Sequence, residues 1–230
     1  MTSHCELSPP PAGDTGGARH GPDVAFREGR SERLVIRRFG VEDVASFAAY
    51  RSEPATARYQ SWATPFSQAQ ASSFIESLQS AHPDSPGAWF QFAVVEAATG
   101  VHIGDVAAGV DSDDPRVATI GVTLTTSARG KGYAGEALAW LLDYLFVDRQ
   151  KHRVTADCDV RNSGAAALLD HLRMRREAHH LQSTWLKPIT RPSGVDSGDV
   201  GLSVVMALPP PGQGALTPLL RLAADFRAHG

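Results

Sequence analysis

The chain has 230 residues, enough for one large domain or two small ones, and its 42% hydrophobic and 20% charged residues exclude a collagen-like, coiled-coil or wholly disordered chain. Twenty-two Lys plus Arg against 25 Asp plus Glu leave a formal charge of −3, which argues against general nucleic-acid or membrane-surface binding. With Cys5 and Cys158 alone there is no disulfide framework and no Cys-x-x-Cys pair, so neither metal nor redox chemistry is expected, and a cytoplasmic setting fits. The opening stretch has no apolar block behind a basic head, and no apolar run nears about 18 residues, so neither a secretory signal nor a membrane span is read.

Residues 1–30 carry Pro9-Pro10-Pro11, several glycines and few large apolar side chains, and read as a flexible tail. Order is predicted from Leu34 to Arg38 as a strand, then over Val41 to Arg51 as a helix whose buried face is Val44, Phe47, Ala48 and Arg51. Ser67 and Gln70 form a capping-box pattern ahead of a second helix with Phe74, Ile75 and Leu78 on its apolar stripe. Trp89 to Val95 and Val101 to Val110 make a hairpin about Ala97-Thr99-Gly100, and Asp111 to Pro115 turns the chain into a third strand, Val117 to Thr125. Gly132 to Val147 is an amphipathic helix, with Ala137, Leu138, Leu141, Leu142, Leu145 and Phe146 inward. A strand from His152 to Val160, a helix from Ser163 to Leu172, and strands over Arg176 to Leu186 and Val200 to Leu208 complete the pattern. After the Pro-rich break at 209–212, Thr217-Pro218 opens a last helix whose apolar face suggests a homodimer contact. The middle, 31–208, therefore reads as one α+β domain, with 1–30 and 209–230 as appendages.

The chemistry concentrates at Thr125-Thr126-Ser127-Ala128-Arg129-Gly130-Lys131-Gly132-Tyr133-Ala134-Gly135, where a strand hands over to the longest helix. Gly130 and Gly132 let backbone N–H groups converge without an intervening Cβ, and the unpaired N–H groups of the helix start face the same point. The helix dipole, Arg129 and Lys131 make that point attractive to a pyrophosphate. A Walker loop does not fit, because Gly132 rather than Ser or Thr follows Lys131. Gly130-x-Gly132-x-x-Gly135 matches a dinucleotide fingerprint, with Asp157 as the ribose ligand, and an NAD-binding protein is one alternative. Against it, Thr125 to Arg129 separate the strand from the first glycine, and too little β-α sequence is left for a second mononucleotide half.

Arg129-x-x-Gly132-x-Ala134 also resembles the Arg/Gln-x-x-Gly-x-Gly/Ala motif of the GNAT acetyltransferases. Ser31 to Arg38, Gly100 to Val106, Ile120 to Leu124, Arg161-Asn162 and Leu172 to Ala178 resemble, in order, blocks of the ribosomal-protein N-terminal acetyltransferase (RimJ/RimL-like) branch, with Arg173 where that branch has glycine. The resemblance implies a GNAT fold: a mixed, mostly antiparallel sheet with splayed central strands and helices on both faces. It implies acetyl-CoA as cosubstrate, held by Val122, Thr123 and Leu124 along the pantetheine arm, by Arg129, Gly130, Lys131, Gly132, Tyr133, Ala134 and Gly135 at the pyrophosphate, and by Asn162. The implied reaction is direct transfer of the acetyl group to a primary amine, on a protein α-amino group or a small molecule. Tyr59 and Trp62 fall where the family binds the acceptor.

Two residues that the branch would use are replaced. Ala165 stands three residues after Asn162, in the place of the serine proton donor, and Thr119 and Thr184 stand where an acidic base is expected. Ser163, His179, His180 and Asp105 remain as candidates for proton transfer, with Glu96 and Asp111 further off, although an alternating strand turns His179 and His180 to opposite sides. Lacking a dedicated base, such an enzyme favours an amine of low pKa; the alternative is an acyl-CoA-binding or regulatory module with weakened catalysis.

Overall fold

Period-two alternation and short turns build the sheet, and two sets of helices cover it. The computed structural model describes residues 28–60, 62–184 and 201–208. Within these, eight strands form one sheet: β1 (Gly29–Arg30), β2 (Leu34–Arg37), β3 (Trp89–Glu96), β4 (His102–Val110), β5 (Val117–Leu124), β6 (Arg153–Asp159), β7 (Arg175–Thr184) and β8 (Gly201–Leu208), in the spatial order β1-β2-β3-β4-β5-β6-β8-β7. Neighbours are antiparallel except β5 and β6, which run parallel. A parallel pair needs a long crossover, and α4 (Tyr133–Asp143) supplies it. The other helices are α1 (Val44–Ser52), α2 (Pro54–Ala57), α3 (Gln68–Ser80) and α5 (Ser163–His171).

Register decides which side chains meet the helices. Gln91 pairs with Ala107, and Asp105 with Thr123, so these share one face; Arg51 and Tyr50 of α1 bond to Gln91 and Asp105 there. Phe92 pairs with Val106 on the opposite face and packs its ring against Trp140 of α4 at 5.6 Å. With helices on both sides, all nine residues of β4 are buried. The expected Ser67–Gln70 capping box is present at the start of α3, with Gln70 N–H donating to Ser67 Oγ at 3.2 Å and Ser67 N–H to Gln70 Oε1 at 2.9 Å.

Three boundaries differ from the sequence reading. Gly29 and Arg30 already pair with β2, ahead of the start expected at residue 31. Pro54–Ala57 forms a short helix, its proline in the first turn where a missing N–H costs nothing. The helix expected to run to Val147 ends at Asp143 and widens into a π-turn over Tyr144–Asp148, with Arg149 N–H reaching Tyr144 O at 3.0 Å. The tail up to residue 27, the connection at 188–194 and the helix after Thr217-Pro218, with the dimer contact read from it, lie outside the described residues. No helix among the described residues is long and apolar enough to cross a membrane.

Candidate active site

The site begins as a fault in the sheet. β5 and β6 pair from Val117/Arg153 to Ile120/Ala156 and then part, so Gly121–Leu124 and Asp157–Asp159 have no strand between them. Thr125 N–H donates to Ile103 O on the β4 side at 2.9 Å; because backbone groups alternate along a strand, Val122 and Leu124 turn theirs toward the gap. The Leu124 carbonyl is taken by Arg129, which leaves the Val122 N–H and C=O facing an open cleft. A bulge next door shapes the strand: Val94 pairs with Gly104 and Val95 with His102, so Ile103 is an extra residue. Gly104 has φ +154, and a Cβ there would stand 2.1 Å from Thr123 O, so only glycine lets β4 and β5 approach this closely.

Beyond Leu124 the chain makes a 3₁₀ turn over Thr126–Ala128 and enters the glycine loop. Gly130 (φ +71) and Gly132 (φ +78) take left-handed conformations, and Gly132 caps α4. The first helical bond runs from Glu136 N–H to Gly132 O, so the N–H groups of Tyr133, Ala134 and Gly135 precede it without helical partners.

This loop is held from two sides. The Arg129 guanidinium donates to Leu124 O, to Ala55 O at 3.3 Å and to Thr56 Oγ1 at 2.8 Å, so it fastens the loop to α2. Glu53 accepts from Thr126 N–H (3.0 Å), Thr126 Oγ1 (2.6 Å) and Thr56 Oγ1 (2.7 Å); burial opposes its ionisation, but these bonds outweigh it and hold the carboxyl below the usual range. On the other side Arg33 donates to Lys131 O at 2.9 Å and to buried Glu136 at 2.7 Å.

A cavity of about 450 Å³ lies over the loop and the parted strand, in the range of cofactor sites. Every residue singled out for the cofactor lines it except Lys131, whose side chain is exposed at the rim. Asn162 lines it while capping α5, its Oδ1 accepting from Ala165 N–H at 3.1 Å. Tyr59 closes one wall and donates to Arg161 O at 3.2 Å.

A second cavity, about 190 Å³, continues from the first past Tyr59, Val122, Thr123 and Asn162. Its lining holds Asp105, Asp157 and Asp159 and, among the described residues, no Lys, Arg or His. The carboxylates thus line the second lobe, and Arg129 lines the first. Asp159 is tied to Arg161 at 2.7 Å, and this pairing overcomes burial to keep its carboxyl low. Asp105 is different: it is 2% exposed, accepts a short hydrogen bond from the Tyr50 hydroxyl, and is pushed up by burial, with Arg51 and Tyr50 pulling the other way. Arg51 is itself buried in an aromatic cage, 4.1 Å from the Trp62 ring and 4.4 Å from the Phe47 ring.

Several expected residues fall elsewhere. Trp62 is 6% exposed, donates Nε1–H to Arg51 O at 3.0 Å and lines neither lobe: it belongs to the core around Arg51, not to an acceptor pocket. Ser163 is exposed at the start of α5, outside both cavities. Glu96 accepts from Tyr133 and Thr99, and Asp111 from the N–H groups of Asp113 and Asp114 in a solvated turn. His179 and His180 occupy consecutive positions on β7 opposite Val204 and Ser203. Thr119, one of the two threonines at which the resemblance led an acid to be expected, shares a hydroxyl hydrogen bond of 2.9 Å with Thr155 across the last joined part of β5 and β6. The dinucleotide reading does not survive: the strand before the glycines is antiparallel to β4, and Asp157 lines the acidic lobe rather than the glycine-loop cavity.

Residues 33–175 match the family described as Acetyltransferase (GNAT) domain. The chain is 28% identical over 148 residues, 64% of this chain and 82% of the relative, to the "Uncharacterized N-acetyltransferase p20" of Bacillus licheniformis. Its fold is similar to that of Mycobacterium smegmatis RimJ in complex with CoA-disulfide, with a TM-score of 0.68, 19% identity, and coverage of 83% of this chain and 89% of that one. It is also similar to spermidine N-acetyltransferase from Vibrio cholerae in complex with CoA and spermine, with a TM-score of 0.64, 18% identity, and coverage of 78% and 97%.

Proposed function

We propose a reaction from the premise that the chain belongs to the GNAT acetyltransferase family: it moves the acetyl group of acetyl-CoA to a primary amine by direct attack, with no covalent enzyme intermediate. The observation that carries this reading is the pairing of a basic, N–H-rich lobe with an acidic one across the parted strand. The residues present fit the cosubstrate. The glycine-loop and α4 N–H groups, with the Arg129 charge behind them and Lys131 at the rim, suit a diphosphate. The open Val122 backbone suits an amide-bearing arm, which would replace the strand that β6 does not provide. Tyr59 and Asn162 stand where the lobes meet. Acetyl-CoA, when bound, supplies an activated thioester carbonyl and a thiol leaving group.

The acidic lobe attracts a cation, and an amine acceptor is an ammonium ion in water. Taking its proton off at neutral pH costs about 1 kcal/mol for an α-amino group and about 5 kcal/mol for an ordinary lysine. A protein or peptide α-amino group is therefore the acceptor we favour, in keeping with the ordered blocks that resemble the Rim-type branch, and a cytoplasmic setting suits a chain with only two cysteines. The test is thiol release from acetyl-CoA with three acceptors: a peptide with a free N-terminus, an Nα-blocked lysine peptide, and spermidine. The free N-terminus should react fastest, and a lysine preference would overturn the choice of acceptor. Ala165 and the outward Ser163 favour one second reading, an acyl-CoA-binding module that no longer turns over. It predicts calorimetric binding of CoA with no thiol released in the presence of any amine.

A further inference from the structure

We propose that Asp105 is the catalytic base that takes the proton from the acceptor ammonium, replacing from β4 the carboxylate that β5 lacks at Thr119. The proposal rests on the acetyl-transfer reading above and assigns one role to one of the several candidates for proton transfer that the sequence offered.

Three independent observations converge on this side chain. Asp105 is paired in register with Thr123, and directly opposed residues of antiparallel strands project from the same face. Thr123 lines both lobes, and Asp105 beside it on the same face lines the acidic one. Thr119 lies on that face too, but its hydroxyl is engaged with Thr155, and a threonine is no base. Second, the pocket there is floored by small residues of the same face, Ala107 and Gly121, which leave room above the carboxylate for an amine. Third, only one Asp105 oxygen has a protein partner: Oδ1 accepts from Tyr50, while Oδ2 has none among the described residues, though the residue is almost wholly buried and lines the acidic lobe. A buried carboxylate with one oxygen held and the other open to a cleft is arranged to receive a proton.

The charged and titratable groups around it act in a consistent way. From α1, Tyr50 holds Oδ1 and Arg51 lies near enough to favour the ionised form; Tyr59 lines the cavity, as do Asp157 and Asp159, which share the sheet face of Asp105, and Cys158, whose position on β6 is on the opposite face. Burial raises the Asp105 carboxyl, bringing it closer to the pKa of the amine it must deprotonate. Tyr50 is pushed so far up by burial that it keeps its proton and serves as a positioning residue.

The step balances as follows. Asp105 Oδ2 takes one proton from the ammonium, and the nitrogen lone pair then forms the C–N bond to the thioester carbonyl. The C–S bond breaks with its electron pair on sulfur, the second nitrogen proton passes to the thiolate, and Asp105 returns its proton to solvent. Amide, free thiol and one proton result.

The experiment measures kcat/KM against pH for the wild type, Asp105→Asn and Tyr50→Phe, on whichever of the free-N-terminal peptide, the blocked lysine peptide and spermidine the wild type uses best, with CoA affinity from calorimetry in parallel. Asp105→Asn should keep its CoA affinity within about threefold yet lose about 100-fold in kcat/KM at pH 6.5, in the range general bases contribute. Without the base, its rate should rise tenfold per pH unit with the free-amine fraction, so the deficit shrinks toward the amine pKa. Tyr50→Phe removes a bond that favours the carboxylate, so its acid limb should move to higher pH. Wild-type rates and an unshifted profile in Asp105→Asn, or an unmoved limb in Tyr50→Phe, would overturn the role of Asp105 and leave acetyl transfer standing. Absence of thiol release from the wild type with all three amines would remove the transfer reading itself, and this assignment with it.

Discussion

Arg173 shows how a single position carries a cost that the fold absorbs. It follows α5 with φ +59, its N–H bonding to Asp170 O at 2.9 Å while Met174 N–H reaches Leu169 O at 3.0 Å, the paired bonds of a Schellman ending. That ending wants glycine, the residue found there in the Rim-type branch, because a Cβ in the left-handed region costs about 1 kcal/mol. Arg173→Gly should therefore raise the urea midpoint by an amount equivalent to about 1 kcal/mol, with no change in CoA affinity. Gly104 is the reverse case. Gly104→Ala forces a Cβ into Thr123 O and should cost about 2–4 kcal/mol in the same unfolding measurement. Gly132→Asp tests the proposed phosphate site directly: a carboxylate added at the left-handed cap (φ +78) would repel a diphosphate, so calorimetric CoA binding should fall at least about 100-fold, while the fold should lose only about 1 kcal/mol for the left-handed Cβ.

At the scale of elements, the glycine loop works because it is fastened, and Arg129 is its main tie to α2. Arg129→Ala should weaken CoA binding about tenfold in calorimetry, and Arg129→Lys should not restore it, since the bonds to Leu124 O, Ala55 O and Thr56 Oγ1 leave from three separate nitrogens of a planar guanidinium, which a compact ammonium does not reproduce. The loop, the hairpins and the capping box of α3 were legible in the sequence because each is written within a few neighbouring residues. What was not legible depends on partners far along the chain. Within Arg58 to Trp62, pattern alone cannot tell that Trp62 turns inward to cover Arg51 while Tyr59 faces the cleft. Asp105 could be singled out as one acid among several, but its standing follows from register with Thr123 and from Tyr50, 55 residues away. The short helix α2 hides because four residues are too few to show a period.

For the whole molecule, acid stability reflects carboxylates pulled in opposite directions. Asp43, Glu136 and Asp159 are buried, which works against them, but hydrogen bonds from Arg37, from Ser31 and Arg33, and from Arg161 hold them low; their contribution is present above about pH 4 and is lost as pH falls through their depressed values. Asp143 is pushed up to about 6 by burial and then by Asp148. Between about pH 4 and 6 the unfolded chain ionises this group first, so its penalty grows as pH rises and is complete above 6. Asp143→Asn should stabilise the fold at pH 7.5 by about 1 kcal/mol after allowance for solvent screening, and the gain in melting temperature should fade toward pH 4. The largest-scale feature is how short the strand ladder between the two wings of the sheet is. β1 through β5 form one slab and β6, β8 and β7 another, stitched among the described residues by the register from Val117/Arg153 to Ile120/Ala156. A guest seated at the fork would bridge the two slabs beyond the end of that ladder. If acetyl-CoA is that guest, its arrival should slow amide deuterium exchange on both shores, at Val122 to Leu124 and at Asp157 to Asp159 alike.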